Sequence, residues 1–147
     1  MAEFMQLTGF KELAAALREL PERVAKNALR SAVNAGASEI RKQAKANAPK
    51  DTGLLEKNIY QKQIREQSDA TKQVFFVGVR GAKKKKKGEK KVEVPFYWRF
   101  IEFGTSKMPA KPFLRPAFDA KKEVAIERIG EKLDERIQKY AKELAKK

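Results

Sequence analysis

Near the amino terminus, apolar residues fall at Phe10, Leu13, Ala14, Leu17 and Leu20, the three-and-four spacing of one helical face, and Thr8 offers a capping oxygen ahead of them. Pro21 suits the first turn of a second helix, which runs to about Ala46 with Val24, Ala28, Leu29, Ala32, Ala35, Gly36 and Ile40 toward one side. That face is made of small side chains, so another helix or a sheet can come close. Gly36 costs on the order of 1 kcal/mol against Ala in a helix interior, and close packing must offset it. Pro49 biases Ala48 away from the helical region, and the turn chemistry of Lys50-Asp51-Thr52-Gly53 ends the helix by about Asn47.

Beyond that turn the period shortens. Leu54 to Ile64 alternates well enough for a strand, and Gln73 to Val79 is the most β-rich run in the chain, so the two predict an antiparallel pair joined by the polar stretch from Arg65 to Lys72. Gly81 to Lys91 is low-complexity and basic; residues 80–91 are expected to form a mobile loop, after which Val92 to Val94 can re-enter the sheet. Phe96, Phe100 and Phe103 fit a short helix that begins after Pro95 and ends at Gly104. Residues 105–116 read as an extended proline-rich arm, because Pro109, Pro112 and Pro116 interrupt regular hydrogen bonding.

From Pro116 to Lys147, apolar side chains recur at Ile126, Ile129, Leu133, Ile137, Tyr140 and Leu144 with charges between them. A continuous helix there is roughly 48 Å long at about 1.5 Å per residue, so its distal half is expected to reach a neighbour or fray. The pattern as a whole predicts an α+β fold in which a small antiparallel sheet is packed by a long Ala-rich N-terminal helix and a long C-terminal helix. At 147 residues, one domain spanning 1–147 is the expected organisation.

Composition narrows the function. The chain has no cysteine and no histidine, which removes thiolate chemistry, the usual structural zinc sites and the commonest general base near neutral pH. An enzyme is not expected. No run approaches the roughly 18 to 20 apolar residues of a membrane span, and no secretory leader opens the chain, so a soluble protein without membrane contact is expected. The net charge is +15, from 34 Lys and Arg against 19 Asp and Glu, and between Arg80 and Lys91 eight cations face one acid. Lys83, Lys84, Lys85, Lys86 and Lys87 are either a solvated, self-repelling loop or a tether for nucleic acid phosphate. No aromatic is interleaved with them, so any contact is sequence-independent and non-specific for DNA.

Asp51-Thr52-Gly53 also occurs as the catalytic loop of aspartic proteases, where paired carboxylates activate water. Here Ala48-Pro49-Lys50 precedes it in place of an apolar strand, and the triplet occurs once, so Pro49, Asp51, Thr52 and Gly53 are read as a structural turn. Seven of the 13 aromatic residues lie between Phe96 and Phe118, which marks a buried centre or an interface. With Phe113 and Leu114 exposed on it, the arm presents an apolar patch that calls for a partner subunit. The candidates for the subunit interface are Glu102, Phe103, Gly104, Thr105, Met108, Pro112, Phe113, Leu114 and Arg115, with Glu102 and Arg115 a candidate ion pair at that seam or within the subunit.

Taken in order, the Ala-rich helix, Ala48-Pro49-Lys50-Asp51-Thr52-Gly53-Leu54-Leu55, a hairpin, Tyr97-Trp98-Arg99-Phe100-Ile101-Glu102-Phe103-Gly104-Thr105, and Met108-Pro109-Ala110-Lys111-Pro112-Phe113-Leu114-Arg115-Pro116-Ala117 before a closing helix resemble the tail-component family of long-tailed, non-contractile bacteriophages. These are small neck proteins associated with tail completion and head-to-tail joining. The resemblance runs from about Val24 to Ile137. It implies an α+β subunit of a ring, expected to hold six copies, at the head-proximal end of the tail. It further implies other neck and tail proteins as partners, a place in the virion after synthesis in the host bacterial cytoplasm, and neither cofactor nor catalytic residues. Tail termination is the neighbouring role within the same neck. The lysine-rich insertion between Val79 and Val92 is longer and more basic than the family pattern requires.

Overall fold

The computed structural model describes residues 2–50, 53–81, 87–88 and 95–146, with side chains from residue 11 onward. The elements are α1 (Ala2–Glu19), α2 (Glu22–Asn47), α3 (Leu54–Asn58), β1 (Ile59–Gln63), a 3-10 turn (Arg65–Gln67), β2 (Phe75–Val79), α4 (Trp98–Phe103) and α5 (Leu114–Ala145). The fold is α+β, with one two-stranded antiparallel sheet packed against long helices. The described chain gathers into two compact units: unit 1 is Met1–Ser38, Gln63–Phe76 and Glu123–Lys147, and unit 2 is Glu39–Lys62 and Val77–Lys122.

In unit 1, Ala28 and Ala32 of α2 and Leu133 of α5 are buried together, flanked by Leu13, Leu17, Leu29 and Ile129. The small-residue face of α2 does what its composition predicts. A Cβ on Gly36 would sit 2.7 Å from Ile129 Cγ1 and 3.0 Å from the Ala125 carbonyl oxygen, so the two backbones approach where only glycine fits. Helix α1 begins at Ala2, which places Thr8 inside the helix and not at its cap. On α5 the expected stripe is inward at Ile129, Leu133, Ile137 and Tyr140, of which Leu133 is buried, while Ile126 and Leu144 at its two ends stay exposed and Ala125 is buried in place of Ile126.

In unit 2, Ala44, Ala48, Leu55, Ile59, Val79, Phe113 and Ala117 form the core, with Trp98, Ile101 and Leu114 packed around it. The hydrogen bond from Arg80 N to Asn58 O (2.9 Å) sets the antiparallel register, with Ile59 opposite Val79 and both facing the core. The strand expected from Leu54 begins only at Ile59. Gly53, at φ 72°, redirects the chain, Lys57 N reaches the Gly53 carbonyl at 3.1 Å, and the Asn58 side-chain amide donates to Leu54 O at 2.8 Å, so Leu54–Asn58 closes as a helical turn first. Asp51 and Thr52, Lys83 to Lys86 and Val92 to Val94 lie outside the described residues, as does most of the basic loop.

Candidate functional site

The aromatic window folds into one corner of unit 2. Trp98 N donates to the carbonyl of buried Pro95 at 3.1 Å and starts α4, and Gly104 N donates to Phe100 O at 2.8 Å and ends it. Gly104 has φ 74°, and a Cβ there would lie 2.8 Å from Ala110 N, so left-handed backbone and close approach both demand glycine. The short helix predicted after Pro95 is therefore present with its predicted stop.

Residues 105–116 do not form an extended arm throughout. Thr105 N donates to Met108 O (2.9 Å), Met108 N donates to Thr105 Oγ1 (3.0 Å), and the pair closes a tight turn. Lys111 N then donates to Ile101 O at 2.8 Å, which ties the segment to α4, and from Leu114 the chain is helical. Pro116 belongs to the first turn of α5.

Glu102 organises this corner. Its side chain is buried, and Oε2 accepts from Phe113 N (2.7 Å) and Leu114 N (3.0 Å) while Oε1 accepts from Arg115 N (3.0 Å). A helix leaves its first four N–H groups without internal partners. In α5 those belong to Phe113, Leu114, Arg115 and Pro116; the carboxylate takes three, and proline has no fourth to offer. The negative charge also opposes the positive end of the helix dipole. The candidate ion pair between Glu102 and Arg115 is not formed among the described residues; the carboxylate accepts the Arg115 backbone N–H instead.

Burial reassigns the aromatic residues. Phe113 is 0% exposed at the centre of the unit 2 core, and Leu114 packs against that core, so neither forms the exposed apolar patch expected of them. On α4, Phe100 at 49% and Phe103 at 64% are exposed, with Phe96 at 78% just before the helix and Met108 exposed in the following turn; Phe76 on β2 and Phe118 on α5 are exposed as well. Trp98, Ile101 and Glu102 hold the inner face. Phe100 and Phe103, three residues apart, share the outer one. Phe96 meets Tyr97 edge to face at 5.8 Å, and the Arg99 guanidinium lies 5.5 Å from the Trp98 ring centre. Of the sequence-derived interface candidates, Phe103, Thr105, Met108, Pro112 and Arg115 are exposed; Glu102 and Phe113 are buried. Phe96 and Phe100, outside those candidates, are exposed as well. Lys87 is exposed.

Fold and site define a small α+β protein whose most distinctive surface is a set of phenylalanines fixed on a short, internally anchored helix. The chain belongs to the bacteriophage tail-component family: the family model described as "Bacteriophage HK97-gp10, putative tail-component" matches residues 11–104. The match takes in the Pro49–Gly53 turn, the hairpin and α4, begins earlier than the resemblance read from Val24, and stops at Gly104, before the Met108–Ala117 segment and α5. No curated protein and no solved structure matches the chain. Among the described residues no helix is long and apolar enough to cross a membrane.

Proposed function

We propose that this tail component is a structural protein of the phage neck, which completes the tail and joins it to the head by assembling into a ring, with six copies the expected number, at the tail's head-proximal end. It acts by shape complementarity and catalyses no reaction. The observation that carries the reading is the outward-facing pair Phe100 and Phe103 on a helix whose inner face is locked into the core, with exposed Phe96 in the turn that leads into it. Exposed aromatic side chains on a rigid support favour burial against a partner, because little conformational entropy is lost when they dock. Head-to-tail contacts between identical chains close into rings when the rotation allows. Neighbouring copies and other neck and tail proteins are the partners this surface serves, in the assembled virion.

Electron microscopy of particles made without this protein tests the proposal. Filled heads and finished tails found apart support joining. Overlong tails assign the protein to termination instead, and intact infectious particles overturn both roles.

A further inference from the structure

The charge of the chain is strongly segregated between its two units. Unit 2 holds 20 Lys and Arg against 7 Asp and Glu, a net +13, whereas unit 1 holds 14 against 12, a net +2. The lysine run is only part of this asymmetry: without Lys83 to Lys87, five charges, unit 2 still carries +8. Folding sharpens it further. Glu102 is buried and committed to three backbone donors, so one of the unit's seven acids is withdrawn from the surface where the cations lie.

Those cations are held on ordered elements. Arg80 N is bonded to Asn58 O at 2.9 Å, which brings Arg80 and Lys57 to one end of the hairpin, and the Arg80 guanidinium lies 5.5 Å from the Tyr60 ring centre. Lys62 is exposed on β1. At the α4 corner, Arg99, Lys107 and Lys111 are exposed, the last fixed by its bond to Ile101 O. Cations distributed over several elements and in clear excess over acids suit a uniform line of negative charge.

We infer that unit 2 binds the phosphate backbone of nucleic acid, independently of sequence, through the cations of its folded surface. This goes beyond the neck reading and stands or falls separately from it. The test uses the full chain and a short labelled DNA duplex of random sequence, titrated between about 50 and 200 mM salt. Two variants each remove four positive charges, so their net charges are equal: Lys57→Ser, Lys62→Ser, Lys107→Ser, Lys111→Ser in unit 2, and Lys26→Ser, Arg30→Ser, Lys139→Ser, Lys142→Ser in unit 1. Circular dichroism verifies that both remain folded.

The unit 2 variant is expected to bind at least roughly tenfold more weakly at the middle of that range and to lose about 3 to 4 from the slope of log affinity against log salt, while the unit 1 variant loses less than about 1. Equal losses in the two variants overturn the inference, since total charge alone then governs binding. A variant with Lys83 to Lys87 replaced by Ser that abolishes binding, with the unit 2 surface variant unchanged, overturns it in favour of the loop. Poly-glutamate binding as tightly as DNA, with the same dependence on the unit 2 cations, replaces the phosphate backbone by an acidic protein as the ligand.

Discussion

Glu102 illustrates how one side chain can fix a junction. A single carboxylate satisfies three backbone donors at the start of α5, and Pro116 removes the fourth, so the helix begins where α4 dictates. Glu102→Ala leaves those three N–H groups without their acceptor in a largely buried place, and it is expected to lower unfolding stability by about 3 kcal/mol in denaturant titration. Glu102→Gln keeps one good acceptor but turns an amide N–H₂ toward donors, so its loss should be nearly as large. Gly104 belongs to the same junction, because the backbone of Ala110 passes where its Cβ would be.

The contact between α2 and α5 rests on the absence of a side chain. Gly36→Val must displace Ile129 and press on the Ala125 backbone, which outweighs the better intrinsic helix tendency of valine, and a loss of about 2 kcal/mol in thermal or denaturant unfolding is expected. The hairpin connection is held by polar bonds instead. Asp69 Oδ1 accepts from Thr71 N (2.8 Å), Thr71 Oγ1 (2.9 Å) and Lys72 N (2.8 Å), and the Thr71 backbone bond, followed by its hydroxyl, holds the Asp69 carboxyl below its ordinary range. A carboxyl whose pKa is lower folded than unfolded stabilises the fold above the unfolded value, about 3.9, and loses that contribution as pH falls through the folded one. Asp69→Asn should therefore be less stable than the parent at neutral pH, with the gap closing as acid is added. A stability difference that does not change with pH counts against this role.

At the scale of the whole molecule, burial separates the aromatic residues that build the protein from those available to a partner. Phe113→Ala opens a cavity in the unit 2 core and is expected to cost about 3 to 5 kcal/mol of stability. Phe100→Ser with Phe103→Ser touches exposed positions, so the melting curve should stay near that of the parent while assembly into particles fails. If the double variant assembles and infects normally, the α4 face is not the contact the neck reading requires. The net charge follows the same division, since the excess of cations sits in unit 2 and is expressed on ordered elements as well as in the lysine run.

Much of the secondary structure was legible in the sequence because it follows from periodicity and punctuation: both long helices, the stop before Pro49, the second strand, and the short helix ended by Gly104. The stretch from Leu54 to Asn58 was misread because its two leucines satisfy a strand pattern, whereas the left-handed Gly53 and the Asn58 side chain close a turn. A run of closely spaced aromatics states that apolar surface is present, but it cannot state which rings face inward. That depended on long-range contacts: Phe113 fills a core made with Ala44, Ala48, Ile59 and Val79, residues distant in sequence, and Glu102 reaches three N–H groups eleven to thirteen positions ahead. The sequence by itself determined most of the elements, the family and the excess of positive charge. Only the tertiary structure decided that Phe113 is core, that Phe96, Phe100 and Phe103 are surface, and that Glu102 caps a helix, because burial and the satisfaction of backbone donors are properties of residues brought together and not of residues in a row.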